Sequence, residues 1–147
     1  MFSHEEKKIL NKKMLIDVVK RILPTYVILT AQNEGKIYGY KVFQKIKKDF
    51  NFYLSPSEGY PIFWKAKKQN LLESRNVIKN GRLRKEYYTI EPNATQYVDT
   101  VIKTEEYVLT RLKELRDKAQ RNLNDNLEFR VLIPDKFYKW RNKAGFN

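Results

Sequence analysis

The sequence predicts a mainly α chain with one small β-hairpin, an α+β arrangement, and three observations carry that expectation. Apolar residues recur at helical spacing in successive stretches before residue 70. An Asn80-Gly81 dipeptide, the strongest short hairpin signal, separates two runs that read as strands. Beyond Pro92 a long stretch sets Tyr97, Val101, Val108, Leu112 and Leu115 at spacings of four, seven, four and three, which makes a stripe along one helix.

Taken in order, Ser3-x-x-Glu6 reads as a helix start, because the serine hydroxyl accepts from an exposed backbone N–H while the glutamate reaches back. That helix is expected to run to about Leu23, with Ile9, Leu10, Met14, Ile16, Val18, Val19, Ile22 and Leu23 spread around the wheel so that more than one side is covered. Pro24 suits the first turn of a fresh helix, ended at Asn33-Glu34-Gly35. A further helix opens at about Gly39, with Val42, Phe43, Ile46 and Phe50 inward and Lys41, Lys45, Lys47 and Lys48 outward. Leu54-Ser55-Pro56-Ser57 supplies an N-cap serine for a helix from about Glu58 to Gln69. Leu71–Ile78 and Arg84–Ile90 read as the strands of the hairpin. A long helix is expected over Asn93–Asn122, and Leu127–Ile133 alternates toward a strand before an aromatic, basic tail.

Charge bounds what such a chain does. Lys and Arg number 30 against 17 Asp and Glu, a net charge of +13 over 147 residues. Solubility needs only about 2–8 charges on a small domain, so a polyanionic partner is the natural explanation for the excess. Cysteine is absent and His4 is the only histidine, which removes disulfides, thiolate nucleophiles, Cys/His zinc sites and Ser-His pairs. No paired-carboxylate site stands out, and no enzyme activity, metal or cofactor is expected. No run approaches the roughly 18 apolar residues of a membrane span. The charged N-terminus lacks a secretory pattern, so a cytoplasmic protein with no membrane partner is expected.

Helices followed by a hairpin with a Gly-containing basic tip are the element order of a winged helix-turn-helix, in which one helix enters the major groove and the wing reaches a neighbouring groove or backbone. The basic residues fall on those elements: Lys36, Lys41, Lys45, Lys47 and Lys48 at or in the second helix, Lys65, Lys67 and Lys68 in the third, and Lys79, Arg82, Arg84 and Lys85 on the wing. Tyr38-Gly39-Tyr40, Glu58-Gly59-Tyr60-Pro61, Asn70-Leu71-Leu72-Glu73, Gly81-Arg82 and Arg84-Lys85-Glu86-Tyr87-Tyr88 then resemble the PadR family of transcriptional regulators over about Leu23 to Leu115. That resemblance implies a winged helix-turn-helix whose long C-terminal helix builds a homodimer. It implies also a regulator, in many members a repressor released by a small ligand or stress.

The resulting expectations are specific. Residues 1–23 form an N-terminal helical extension, 24–91 the DNA-binding domain, 92–122 the dimerisation helix and 123–147 a tail. Double-stranded DNA is expected at Lys36, Lys41, Ser57, Glu58, Tyr60, Pro61, Lys65, Lys68, Lys79, Arg82 and Arg84, with Tyr60, Phe63, Ala66 and Asn70 turned to the core. Lysines on that surface hold phosphates more often than bases. Dimerisation falls to Tyr97, Val101, Val108, Leu112 and Leu115. Trp64 and Trp140 are expected in the core, with a pocket for a small hydrophobic ligand as the other use of such aromatics. The alternative function is a winged-helix adaptor that coats a plasmid or phage centromere for DNA segregation. The two are separated by whether the bound DNA is a short promoter site or an array of repeats.

Overall fold

The computed structural model describes residues 11–130, and side chains as far as residue 126. Among these residues lie helices α1 (Lys12–Glu34), α2 (Gly39–Phe50), α3 (Pro56–Lys68) and α4 (Asn93–Arg130), with strands β1 (Ile37–Tyr38), β2 (Leu72–Lys79) and β3 (Arg82–Thr89). The strands make one antiparallel sheet in the order β1-β3-β2. The mainly α chain with a small hairpin is therefore as expected, and β1 is an addition. Two residues flanked by helices give too short an alternation to read as a strand; Ile37 and Tyr38 are held by pairing with Tyr87 and Glu86.

The first helix differs from expectation. Pro24 starts no new helix but sits inside α1, which runs unbroken from the Asn11 cap, whose side chain accepts from the Met14 N–H at 3.1 Å. An interior proline costs about 3 kcal/mol or more. The opposing term is larger: Val19, Leu23, Val27 and Ala31 recur every four residues on one buried face that crosses Pro24, together with Ile28. Burying each large apolar side chain contributes roughly 1.5–3 kcal/mol. The Ser3–Glu6 start signal lies outside the described residues.

Gly35 ends α1 with a positive φ, as read, and its N–H returns to the Ala31 carbonyl at 2.8 Å. Asn51 ends α2 in the left-handed region. Asn70, expected in the core, is instead exposed: its φ of 58° turns the chain after α3 while the Leu71 N–H reaches back to the Ala66 carbonyl at 3.0 Å. Three residues in this left-handed conformation are asparagines, the side chain that best tolerates it after glycine.

The core gathers Val19, Leu23, Val27, Ile28 and Ala31 of α1 with Ile37, with Val42, Phe43 and Ile46 of α2, and with Phe63 and Ala66 of α3. Leu72 and Tyr87 close it from the sheet, and Ala94 and Val98 from the start of α4. Two glycines permit the helix packing. A Cβ on Gly59 would stand 2.3 Å from the Phe43 ring and one on Gly39 2.7 Å from the Tyr60 ring. Both belong to the motifs on which the family resemblance rests.

Glu91 joins α1 to the start of α4. Its carboxylate accepts from Gln32 Nε2 at 2.6 Å and from the Thr95 hydroxyl at 2.7 Å, which hold its pKa below the usual carboxylate range. The Glu91–Pro92 peptide is cis.

The described chain forms two compact units, one ending at Ile102 and the other beginning at Lys103. The second is helical through Arg130, so the strand expected over Leu127–Ile133 is corrected for residues 127–130; residues 131–133 lie outside the described part. No glycine or proline stands between Pro92 and Pro134 to stop a helix there. In this unit Tyr107, Val108, Leu109, Leu112 and Leu115 are exposed, and Arg111 lies over the Tyr107 ring while donating to Glu114 at 2.8 Å.

Candidate nucleic-acid interface

The start of α3 is set by its own sequence. Ser55 Oγ accepts from the Glu58 N–H at 3.3 Å and donates to Glu58 Oε1 at 2.9 Å, and Pro56 occupies the first turn, where no N–H is needed. Glu58 also pairs with Lys20 at 3.5 Å, and these partners hold its pKa down. Its carboxylate is committed to starting the helix and tying it to α1.

The face of α3 opposite the buried Gly59, Phe63 and Ala66 carries Ser57, Pro61, Lys65 and Lys68, all exposed as expected. Trp64 joins them. Expected in the core, it is 56% exposed, because positions 57, 61, 64 and 68 share one helical face and Phe63 alone takes the inward place. Trp140, paired with it in the sequence reading, lies outside the described residues. The signal was available: with Phe63 and Ala66 inward, residue 64 has to point away. Lys67 turns back instead, donating to Ser74 at 2.8 Å and pairing with Glu73 at 3.7 Å. Tyr60 is half-buried, edge-on to Phe43 with ring centroids 5.2 Å apart.

The wing turns at Asn80 and Gly81, both with positive φ, as a two-residue hairpin loop requires. Cross-strand pairs alternate between its faces. Ser74 and Tyr87 lie on the core side, where Tyr87 packs on Phe63 with centroids 4.5 Å apart; Asn76 with Lys85 and Ile78 with Leu83 share that side. Arg75 with Glu86, Val77 with Arg84 and Lys79 with Arg82 occupy the outer face. The three expected wing contacts Lys79, Arg82 and Arg84 thus share the outer face, while Lys85 stands on the α3 side.

On the outer face two cations rest on tyrosine rings: Lys79 Nζ lies 4.6 Å from the centre of Tyr38, and the Arg84 guanidinium 5.2 Å from that of Tyr40. Behind them Glu86 is buried and gathers all three strands. It accepts from Arg75 Nε at 2.8 Å and from the Tyr38 hydroxyl at 2.9 Å, and Lys36 stands 3.7 Å away. Arg75 above all, against the cost of burial, holds the Glu86 carboxyl below the usual range, and the hydrogen bond that Tyr38 donates to Glu86 raises the Tyr38 hydroxyl. Lys36 therefore presents a charge partly balanced by Glu86, whereas Lys41 is exposed on α2.

Residues 28–98 match the model of the transcriptional regulator PadR-like family. They form a PadR-like domain. Among solved structures, the chain is similar to a PadR family transcriptional regulator from Eggerthella lenta, with 18% identity, a TM-score of 0.61, and coverage of 70% of this chain and 88% of that one. It resembles a PadR-like regulator from Bacillus cereus at 21% identity and TM-score 0.56, covering 67% and 95%. A transcriptional regulator from Clostridium thermocellum aligns at 26% identity and TM-score 0.51, covering 65% and 91%. These likenesses establish the PadR-like winged fold with its long C-terminal helix. No curated protein matches the sequence.

Two shallow depressions accompany the PadR-like domain. One of about 410 Å³ lies between α1 and α2 against Lys41, Lys45, Lys48, Glu34 and Asp49, and one of about 300 Å³ lies beside Glu86 and Tyr88. Both are lined largely by charged side chains, and Trp64 lines neither. Among the described residues no helix is long and apolar enough to cross a membrane, and no cluster of His, Cys, Asp or Glu forms a metal site.

Proposed function

We propose that this protein is a transcriptional regulator, a repressor, that binds double-stranded DNA as a homodimer. The observation that carries the reading is the exposed face of α3, where Ser57, Pro61, Trp64, Lys65 and Lys68 stand together on a helix capped at its start and backed by a rigid core. An α-helix fits the B-DNA major groove, so that face reads base edges and phosphates there. The wing, with Lys79, Arg82, Arg84 and Lys85, lies along the neighbouring backbone and minor groove; Lys36 and Lys41 hold flanking phosphates. Glu58 and Tyr60 act from behind this surface, by fixing the start of α3 and its seat on α2. The net charge of +13 supplies the long-range attraction.

The exposed apolar residues Val108, Leu112 and Leu115, with Tyr107 and Leu109 beside them, support pairing of α4 with a second copy. Tyr97 and Val101, half-buried, extend the same helix towards its start. Two domains held this way address two half-sites of one operator.

The test is capture of genomic DNA by the purified protein, repeated with Lys65→Ala and Arg82→Ala. A palindromic site near a promoter, lost on substitution, is the expected result. A cooperative array of repeats would replace the regulator with a segregation adaptor, and no enrichment would sink DNA binding altogether.

A further inference from the structure

The wing carries an apolar pair that the reading above leaves unused. Ile78 is 79% exposed and Leu83 69% exposed, the most exposed large hydrophobic side chains on the hairpin, and they are direct cross-strand partners, the second pair from the Asn80-Gly81 turn. A turn-proximal pair with no core to cover is normally polar, since isolated apolar side chains at a hairpin tip gain nothing from solvent. The face they occupy is fixed by alternation. Ser74 and Tyr87, two steps inward on the same side, touch α3 through Lys67 and Phe63. Ile78 and Leu83 therefore stand about 14 Å further out on the α3 side of the wing, at roughly 3.4 Å per residue.

We infer that Ile78 and Leu83 form an apolar wedge that the wing presses into the minor groove of bound DNA, partly unstacking a base step outside the segment read by α3. The inference rests on the DNA-binding reading. Its occupant follows from charge: Lys85 stands one pair inward on the same face, and Lys79 and Arg82, the pair next to the turn, project from the opposite face of the same narrow ribbon, so cations lie on both sides of the apolar tip. A protein partner with an apolar surface would have to accept cations on both sides of the ribbon as well. A minor groove offers both an apolar slot between base steps and phosphates on either side. Apolar side chains inserted between steps kink the duplex, and pyrimidine–purine steps such as TA and CA/TG yield most easily. The wedge thus selects for a flexible step at a fixed distance from the major-groove motif, without a hydrogen bond to any base.

The experiment is selection from a library of random-sequence duplexes by the full-length protein and by an Ile78→Thr, Leu83→Thr double variant. Threonine keeps the β-branched shape of Ile78 and places a β-branched side chain, which strands favour, at residue 83. The wild type is expected to enrich a central motif flanked by TA or CA/TG steps, and the variant to enrich the same motif with the flanking preference lost. On the selected site, 2-aminopurine placed at the flanking step should brighten with wild type and stay quenched with the variant. An Ile78→Leu, Leu83→Ile exchange should retain both effects, which separates apolar character from exact shape. A central motif with no flanking preference, or a preference that survives the threonine substitutions, overturns the wedge and leaves the DNA reading intact. No enriched sequence with the wild type overturns both.

Discussion

Single residues divide into those that build the surface and those that meet the partner, and Trp64 is the sharpest case. Its indole stands free beside Lys65 and Lys68, so Trp64→Ala should leave thermal stability nearly unchanged while weakening DNA binding, measured by fluorescence anisotropy. A loss of stability without a loss of affinity would show that it serves packing. Lys65 and Lys68 also sit in the last turn of α3, where a positive charge favours the helix end by about 0.3–1 kcal/mol. If Lys68 holds a phosphate, Lys68→Ala should weaken binding evenly across sequences and reduce the salt slope by about 1. Glu86 makes a prediction of a different kind. Its folded pKa is lowered, so its contribution is complete above the ordinary carboxylate value near about 4.3 and disappears as pH falls through the folded value. Carbon NMR of the Glu86 carboxyl should give a midpoint below that of a free glutamate, and Arg75→Gln should move it up. An unshifted midpoint would mean the ion pair is not maintained in solution.

At the scale of elements, packing rather than propensity decides the outcome. Gly59→Ala would gain about 0.5–1 kcal/mol in helix preference but drive a methyl group into the Phe43 ring, and overpacking costs about 1–3 kcal/mol. The variant should therefore be less stable in chemical denaturation, even though alanine suits helices better. The same competition explains what was legible in the sequence. The capped start of α3, the hairpin at Asn80-Gly81 and the stop at Gly35 were readable because each is a local signal with its own steric cause. The run of α1 through Pro24 was not, because the proline is a local signal overruled by a buried face that only the folded sheet and helices supply. Trp64 was misplaced for a related reason: aromatic residues are usually core, but the inward side of α3 is already taken by Phe63 and Ala66, with Tyr60 at its edge, and residue 64 falls on the opposite side. The two-residue β1 could not be read at all, since its strand character comes from pairing with β3, some fifty residues away.

For the whole molecule, the imbalance of charge sets how the proposed DNA partner would be met. Each phosphate neutralised releases counterions, so affinity should fall roughly tenfold or more for a fewfold rise in salt if several lysines and arginines engage. A flat response in a salt titration would contradict the phosphate contacts. Leu112→Asp should convert a dimer into a monomer by sedimentation and weaken operator binding with it; a persistent dimer would place the interface elsewhere. The buried carboxylate of Glu86 has a consequence at this scale too. Arg75 belongs to the hairpin, but Tyr38 and Lys36 arrive from a segment far upstream, so the wing is not a module that can be cut out and grafted. Moved to another scaffold it would bring the arginine and the glutamate and leave their other partners behind. Exchange of wings between relatives should accordingly succeed only when the short strand at Ile37–Tyr38 travels with them, which makes the two pieces one inherited unit although the chain separates them.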